Sequence, residues 1–304
     1  MSKNLKGNLI LLCAAIIWGL AFVAQDGAAK TVPPFTINAI RSFIGCFALL
    51  PVCAFMSKKK GENLIPKEKG KAKILIVAGV LCGVMLTISA NLQQFGISAY
   101  PESAAASARA GFLTAMYVIM VPVFGIFFKK KTGLNVCLAV GLSVVGLYLL
   151  CLSGGFGDIY SGDIVVLCCA VAFTFHIVCI DHFGDRVDGV KLSCLQFFVV
   201  GVLSTVLMLI FEKPTLSGIL AAGWYLLYVG IMSSGVAYTL QIIGQQLSKN
   251  PTVASIIMSL ESVFAALGGL MVGQTLSARE ILGCTIMFAA ILLSQISFKK
   301  KVPV

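Results

Sequence analysis

The stretch GNLILLCAAIIWGLAFVAQD, which begins at Gly7, has a counterpart 155 residues further along the chain, GDIVVLCCAVAFTFHIVCID, which begins at Gly162. The two stretches stay in register without a gap as far as Arg41, which falls on Gln196. Both are long apolar runs with few groups that water would solvate. This internal repetition predicts a chain made of two related halves.

Composition identifies the solvent that surrounds the protein. Hydrophobic residues make up 59% of the 304 residues, charged residues make up only 12%, and the mean hydropathy is +0.98. A chain with so little polar surface cannot face water on all sides. We therefore predict an integral membrane protein.

Apolar runs long enough to cross a bilayer occur ten times. A helix needs about 17 to 25 such residues to span a hydrocarbon core of roughly 30 Å. The runs are longer and more evenly apolar than the strands of a β-barrel. They lie near residues 8–25, 35–56, 74–96, 102–128, 134–152, 163–181, 193–211, 220–246, 252–273 and 278–297.

Ten spans and one duplication predict an all-α fold of two five-helix repeats, which we place at residues 1–152 and 153–304. A unit with an odd number of spans must lie inverted in its second copy. Inverted repeats are typical of membrane carriers that open alternately to the two sides of the bilayer.

Lysine and arginine side chains set the orientation, because they are retained on the cytoplasmic side of a span. If the amino terminus is cytoplasmic, eighteen of the 23 basic residues fall on that side. Lys30, Lys213 and Arg279 fall on the other side, and Arg41 and Arg109 fall within spans. We therefore predict cytoplasmic termini, in a multi-pass protein of a plasma membrane of the bacterial inner-membrane type.

The same orientation accounts for the net charge of +11, because most of the excess is loop lysine that would face anionic lipid. Nucleic-acid binding would require basic and aromatic residues interleaved on a soluble surface, and the sequence has no such pattern. We expect membrane lipid and a small molecule as partners, and no nucleic acid. Faces of small residues permit an oligomer but serve packing within one chain equally well.

Three segments carry a resemblance to a known family: GDIVVLCCAVAFTFHIVCIDHF from Gly162, SARAGFLTAMYVIMVPVFGIFF from Ser107 and SLESVFAALGGLMVGQTLSAREILG from Ser259. In this order, within a duplicated chain, they resemble the EamA-type family of the drug/metabolite transporter superfamily. Two positions depart from the family's usual pattern: Ser262 stands where a proline is usual, and Arg109 where a lysine is usual.

The resemblance implies a secondary transporter that moves a small organic metabolite by alternating access, with export of an amino acid or related compound as the first expectation. Export of drugs or lipophilic cations is the alternative. The sequence has no P-loop, so an ion gradient, with protons as the candidate coupling ion, would supply any energy.

Two other classes of function stay open, a membrane-embedded enzyme and a channel. GxSxG and HExxH patterns are absent from the sequence, and its eleven cysteines and two histidines have no metal-ligand spacing. We therefore predict no enzyme activity, no metal and no cofactor.

Ionisable residues within spans mark the candidate site, because a charge in hydrocarbon is costly. Glu261 lies about ten residues into the ninth span and is predicted to couple protons or to bind a substrate amine. Arg109, in the fourth span, is predicted at a similar depth. The two could pair permanently, or could divide between them the amine and the carboxylate of a zwitterionic substrate.

Other polar residues within the spans complete the candidate site. Arg41 could attract anions or extend its long side chain to the interface, and His176 could relay protons or be a hydrogen-bonded core residue. Amide and aromatic groups could line a polar passage or hydrogen bond between helices. These are Trp18, Gln93, Gln94, Tyr117, Gln196, Tyr238 and Gln241.

Overall fold

In the computed structural model, which describes residues 3–101, 106–127, 133–151, 160–273 and 277–295, every regular element is a helix. The basic residues at 129–131 and 299–301 and the predicted boundary between the halves lie outside these ranges. The helices of the first half are α1 (Lys3–Ala29), α2 (Pro34–Lys59), α3 (Lys69–Ser98), α4 (Ala106–Thr114), α5 (Tyr117–Phe127) and α6 (Leu134–Cys151).

The second half begins with two long helices and continues with several shorter ones. They are α7 (Ser161–Phe183), α8 (Gly189–Phe211), α9 (Leu216–Ala221), α10 (Gly223–Tyr228), a π-helical segment (Val229–Ala237), α11 (Tyr238–Ser248), α12 (Pro251–Met258), α13 (Glu261–Met271) and α14 (Ala278–Gln295).

Eight helical stretches within the described ranges are long and apolar enough to cross a membrane, so the chain is a multi-pass membrane protein. They match eight of the ten predicted spans, and the fifth and tenth correspond to shorter apolar stretches, Cys137–Gly146 in α6 and Ile281–Ala290 in α14. The ten-span count stays a prediction. The eight are Lys3–Ala29, Pro34–Lys59, Lys69–Ser98, Ala106–Gly125, Ser161–Phe183, Gly189–Phe211, Gly223–Ser248 and Pro251–Met271.

The core lies where helices of the first half meet helices of the second. Helix α2 packs against α8, α3 against α7, and α6 against α14, while α1 packs against α11 and α13. Side chains of both halves, such as Leu11, Phe22 and Phe112 from the first and Ile177 and Met258 from the second, are fully buried. The halves therefore share one continuous interior.

Glycine permits close approach at two corresponding positions of the duplication. A Cβ atom on Gly7 would lie 2.9 Å from the carbonyl oxygen of Gly244, and one on Gly162 would lie 2.6 Å from that of Gly96. Small residues of this kind let membrane helices pack backbone against backbone. The same contact thus joins α1 to α11 and α7 to α3.

Among the spans that the structure describes, three depart from regular α-helix. The span Ala106–Gly125 is interrupted at Ala115 and Met116, and the span Pro251–Met271 at Ser259 and Leu260. The third irregularity is the π-helical segment, a rare helix type that is frequent at functional sites. Irregular backbone at membrane depth is tolerated where protein or a cavity surrounds it.

Neither of the first two interruptions contains a proline. Pro122 lies inside α5, and the interruption of the fourth span precedes it. The ninth span is interrupted without a proline: the hydroxyls of Ser259 and Ser262 donate to the carbonyls of Ile256 and Ser259, at 2.7 Å each. Such local bonds compete with the helical ladder and bend or break helices.

We expect Gly162→Ala to lower the free energy of unfolding by roughly 1–3 kcal/mol, because its methyl group would meet the backbone of Gly96, which cannot rotate away. The measurement is the thermal unfolding of the purified protein in detergent. Gly141→Ala is the matched control, since a Cβ there meets nothing within 4 Å. Equal unfolding temperatures for the two variants would contradict the close packing of α7 on α3.

Candidate functional site

A narrow cavity lies between the two halves. Its volume is about 30 Å³. The first half lines it with Trp18, Phe22, Gln25, Arg41, Gln93, Thr114 and Tyr117. The second half lines it with Phe173, Ile177, Ser233, Tyr238, Gln241, Met258 and Glu261.

Two helix interruptions position the acidic group of this cavity and its hydrogen-bond donor. Tyr117 is the first residue of α5 and Glu261 is the first residue of α13, so each directly follows an interruption. The Tyr117 hydroxyl donates to Oε1 of Glu261 at 3.0 Å, and both side chains are buried. An acidic group deep in the protein and next to open space can exchange a proton or a ligand cation there.

Arg41 supplies the positive charge of the cavity. Its side chain, on α2, is only 4% exposed. Nε donates to the hydroxyl of Ser234 at 3.1 Å, Nη1 to Oε1 of Gln25 at 2.9 Å, and Nη2 to the hydroxyl of Ser233 at 2.9 Å. The guanidinium therefore lies inside the protein and does not reach the interface, which was one of its predicted alternatives.

Aromatic and amide groups form the rest of the lining. The rings of Trp18 and Tyr238 meet edge to face with centroids 4.7 Å apart. Gln93 donates to the hydroxyl of Thr114 at 3.1 Å. Seven residues that the sequence analysis proposed thus line this cavity: Trp18, Arg41, Gln93, Tyr117, Tyr238, Gln241 and Glu261.

Arg109 does not pair directly with Glu261, which was one of the two arrangements that the sequence allowed; it pairs with Asp163 instead. Its Nε donates to Oδ1 of Asp163 at 2.9 Å and its Nη2 to Oδ2 at 3.0 Å. Asp163 also accepts from the Tyr100 hydroxyl at 2.7 Å and from the backbone of Tyr160 at 2.8 Å. Asp163 lies in the first turn of α7, and α7 packs against α4, which carries Arg109. This packing brings the Asp163 carboxylate into contact with the Arg109 guanidinium.

Three more predicted residues are packed among helices and are not among those that line the cavity. Nε2 of His176 and Oε1 of Gln196, both fully buried, lie 3.1 Å apart. Gln94 donates to the backbone carbonyl of Gln25 at 3.4 Å. In this arrangement the hydrogen-bonded core alternative fits His176 better than an exposed proton relay does.

Ion pairs and hydrogen bonds tie the halves together at both ends of α2. At its first turn, Glu212 accepts from the backbone nitrogens of Phe35 and Thr36, at 2.8 Å each. At its far end, Lys60 donates to Asp188 at 2.8 Å. A carboxylate at a helix N-terminus is favoured by the helix dipole. Polar contacts therefore join the start of α2 to the end of α8, and the end of α2 to the start of α8.

Asp188 and Lys60, which lie just outside the spans, perturb each other. Burial alone would raise the pKa of Asp188, but hydrogen bonds from Lys60 and the Lys191 backbone lower that pKa below its usual value. The hydrogen bond to Asp188 raises the pKa of Lys60. Because the folded-state pKa of Asp188 is depressed, its stabilisation is present above about pH 4 and is lost as the pH falls through the folded value.

Sequence reasoning missed several residues of the site. Gln25, Ser233 and Ser234 are small or neutral groups whose role depends on Arg41. The partner of Arg109, Asp163, was also missed, because it lies at the end of a predicted span, where water could solvate a carboxylate. A polar pair such as Ser233 and Ser234 within an apolar run was the one signal available in the sequence. Among the residues described, no group of His, Cys, Asp or Glu could hold a metal ion.

Comparison with known proteins adds a family match. The model of the EamA-like transporter family matches residues 5–152 and 160–296. A solved crystal structure with 18% sequence identity superimposes with a TM-score of 0.73, over 95% of this chain and 98% of that one. At this level of identity the structural similarity shows the fold alone.

Relatives of similar length also carry transporter names. A protein of Archaeoglobus fulgidus, named an uncharacterized transporter, is 27% identical over 293 residues, which are 96% of this chain and 86% of that protein. The uncharacterized transporter YoaV of Bacillus subtilis is 23% identical over 305 residues, covering 97% of this chain and 99% of the relative.

We expect Arg109 and Asp163 to act as a structural pair. Arg109→Gln and Asp163→Asn should each lower the free energy of unfolding, because each removes one charge of a mostly buried ion pair. The double variant should recover part of the loss, with a coupling of roughly 1–3 kcal/mol measured by thermal unfolding in detergent. Strictly additive losses would mean that the pair contributes nothing beyond its two separate side chains.

Proposed function

This chain belongs to the EamA-like transporter family, and on that premise we propose that it is a secondary transporter that carries a small organic metabolite by alternating access. The observation that carries the proposal is the placement of a buried acid, Glu261, in a cavity that both halves line. A site at the interface of two repeats, framed by interrupted helices, is the arrangement that such carriers use.

The proposal includes the arrangement predicted from the sequence. We infer ten transmembrane helices, two inverted repeats at residues 1–152 and 153–304, cytoplasmic termini and a plasma-membrane location. The corresponding contacts of Gly7 and Gly162 support the repeats. Helix pairs that combine one helix from each half, such as α2 with α8, support them further.

The narrowness of the cavity also bears on mechanism. Only about 30 Å³ admits the centre of a water molecule, which is room for on the order of two waters. A cavity of this size is too small for a metabolite, so the proposed transport requires the halves to move apart on one side. The ties at both ends of α2 would have to break or move with α8 during such a motion.

The substrate we expect first is an amino acid or related compound, moved outward, with proton coupling through Glu261. A lipophilic cation or drug is the second candidate, and the aromatic lining formed by Trp18, Tyr117 and Tyr238 favours it to the extent that rings attract cations. A channel would give flux that does not saturate and no counterflow, and an enzyme would alter its substrate chemically.

The test is an exchange screen of metabolites in proteoliposomes, with and without a pH gradient. We expect saturable exchange that Glu261→Gln reduces by about tenfold or more, with loss of its dependence on the pH gradient, because the amide cannot take up or release a proton. Glu68→Gln is the matched control, since Glu68 forms an exposed surface pair with Lys71. Undiminished exchange in Glu261→Gln, with the same pH dependence, would remove Glu261 from the mechanism.

A further inference from the structure

The charge of Arg41 is buried, and no carboxylate of the described residues forms an ion pair with it. All three of its hydrogen-bond acceptors, the hydroxyls of Ser233 and Ser234 and the amide oxygen of Gln25, are neutral. Within the part of the chain that the structure describes, Arg41 forms no salt bridge. Neutral acceptors satisfy N–H groups but do not form an ion pair with the guanidinium, and Glu261, which lines the same cavity, makes no direct contact with it among the hydrogen bonds and ion pairs of the described residues.

The other arginine within a predicted span, Arg109, has a carboxylate partner. Asp163 holds the Arg109 guanidinium through two parallel hydrogen bonds. Arg41 has only neutral oxygens instead and lines the central cavity. The two arginines therefore differ in the one feature that matters for an anionic ligand, the presence of a resident carboxylate.

The π-helical segment holds Arg41 in place. The consecutive residues Ser233 and Ser234 both reach the guanidinium from this segment. Glycines permit the approach: a Cβ on Gly45 would lie 2.8 Å from the Cβ of Ser234, and one on Gly230 would lie 2.6 Å from the Ile44 side chain. The π-helical segment and the close glycine contacts thus together fix the orientation of the Arg41 guanidinium.

Unused hydrogen-bonding groups surround the same space. A guanidinium has five N–H donors, and the contacts of Arg41 occupy three. Nε1 of Trp18 is buried without an acceptor, and Oε1 of Gln241 is buried without a donor. Both of these residues line the cavity, and their side chains are at least nine-tenths buried. A polar solute would satisfy these groups, because buried groups without partners are costly.

We propose that Arg41, held by Ser233, Ser234 and Gln25, binds a carboxylate of the transported solute, so that the protein selects solutes that carry this group. This inference rests on the proposed transport function and adds the chemical feature that the cavity recognises. The remaining N–H donors of the guanidinium suit a planar carboxylate. A solute that is only a cation would be repelled by Arg41, whatever the aromatic lining contributes.

The two tryptophans of the chain allow a direct binding measurement. Trp18 lines the cavity, whereas Trp224 is 79% exposed. In the full-length Trp224→Phe protein in lipid nanodiscs, Trp18 is the only tryptophan, and its fluorescence reports on the cavity. The probes are the standard L-amino acids and short mono- and dicarboxylates, each paired with its own carboxamide, together with tetraphenylphosphonium.

We expect at least one carboxylate-bearing probe to change the Trp18 fluorescence saturably and its carboxamide to bind about tenfold more weakly or worse. Arg41→Gln, in the same background, should abolish that preference. Arg41→Lys should keep part of it, because the charge remains but the paired donors are lost. Arg186→Gln removes one exposed positive charge elsewhere and should leave the preference unchanged.

Misfolding is separated from loss of binding by a milder variant. Ser233→Ala keeps Arg41 and removes one of its acceptors. It should weaken carboxylate binding less than Arg41→Gln does, and thermal unfolding identifies any variant that fails to fold. The inference is overturned if no carboxylate probe binds, if acids and amides bind alike, or if Arg41→Gln retains the preference.

The outcomes also distinguish this inference from the transport proposal. Saturable exchange of amides or of tetraphenylphosphonium in proteoliposomes, without carboxylate preference at Trp18, would leave the transporter standing and remove the role of Arg41. Carboxylate binding at Trp18 that depends on Arg41, without exchange of any probe, would support the binding site and contradict transport.

Discussion

Hydrocarbon gives polar groups no partners, and this constraint shapes the whole molecule. Every backbone amide and charged side chain within the spans must find its partner inside the protein. Long regular helices meet the requirement for the backbone, and the interior between the halves meets it for side chains such as Asn38 and Asn91, which hydrogen bond to each other at 3.0 Å. Irregular backbone occurs beside the central cavity, where protein surrounds it.

The two arginines of the spans illustrate two solutions to the same problem. Arg109 receives a carboxylate from the other half, so the pair joins α4 to α7. Arg41 receives three neutral oxygens and keeps its charge at the edge of open space. The first solution favours stability and the second leaves the charge for a ligand. A buried cation without a counter-ion is costly, which is why such groups mark function in membrane proteins.

Several elements could be predicted from the sequence for clear reasons. The spans follow from the length and apolarity of their runs, and eight of them have helices of the required kind. Glu261 could be found because a carboxylate ten residues into an apolar run is conspicuous. The partner of Arg109 could not be found, because depth along two helices leaves unknown which faces turn toward each other. The packing of α7 against α4 brings Asp163 into contact with Arg109.

The sequence alone therefore determined that this chain lies in a membrane and where most of its helices run, and it predicted two related halves. These properties depend on local composition, since hydrocarbon selects apolar helices residue by residue. Only the tertiary structure decided which polar groups meet: Tyr117 with Glu261, Arg109 with Asp163, and Arg41 with two serines of a π-helical segment. Such meetings depend on how each helix is rotated about its axis and on how distant helices pack, and no local pattern in the chain specifies either.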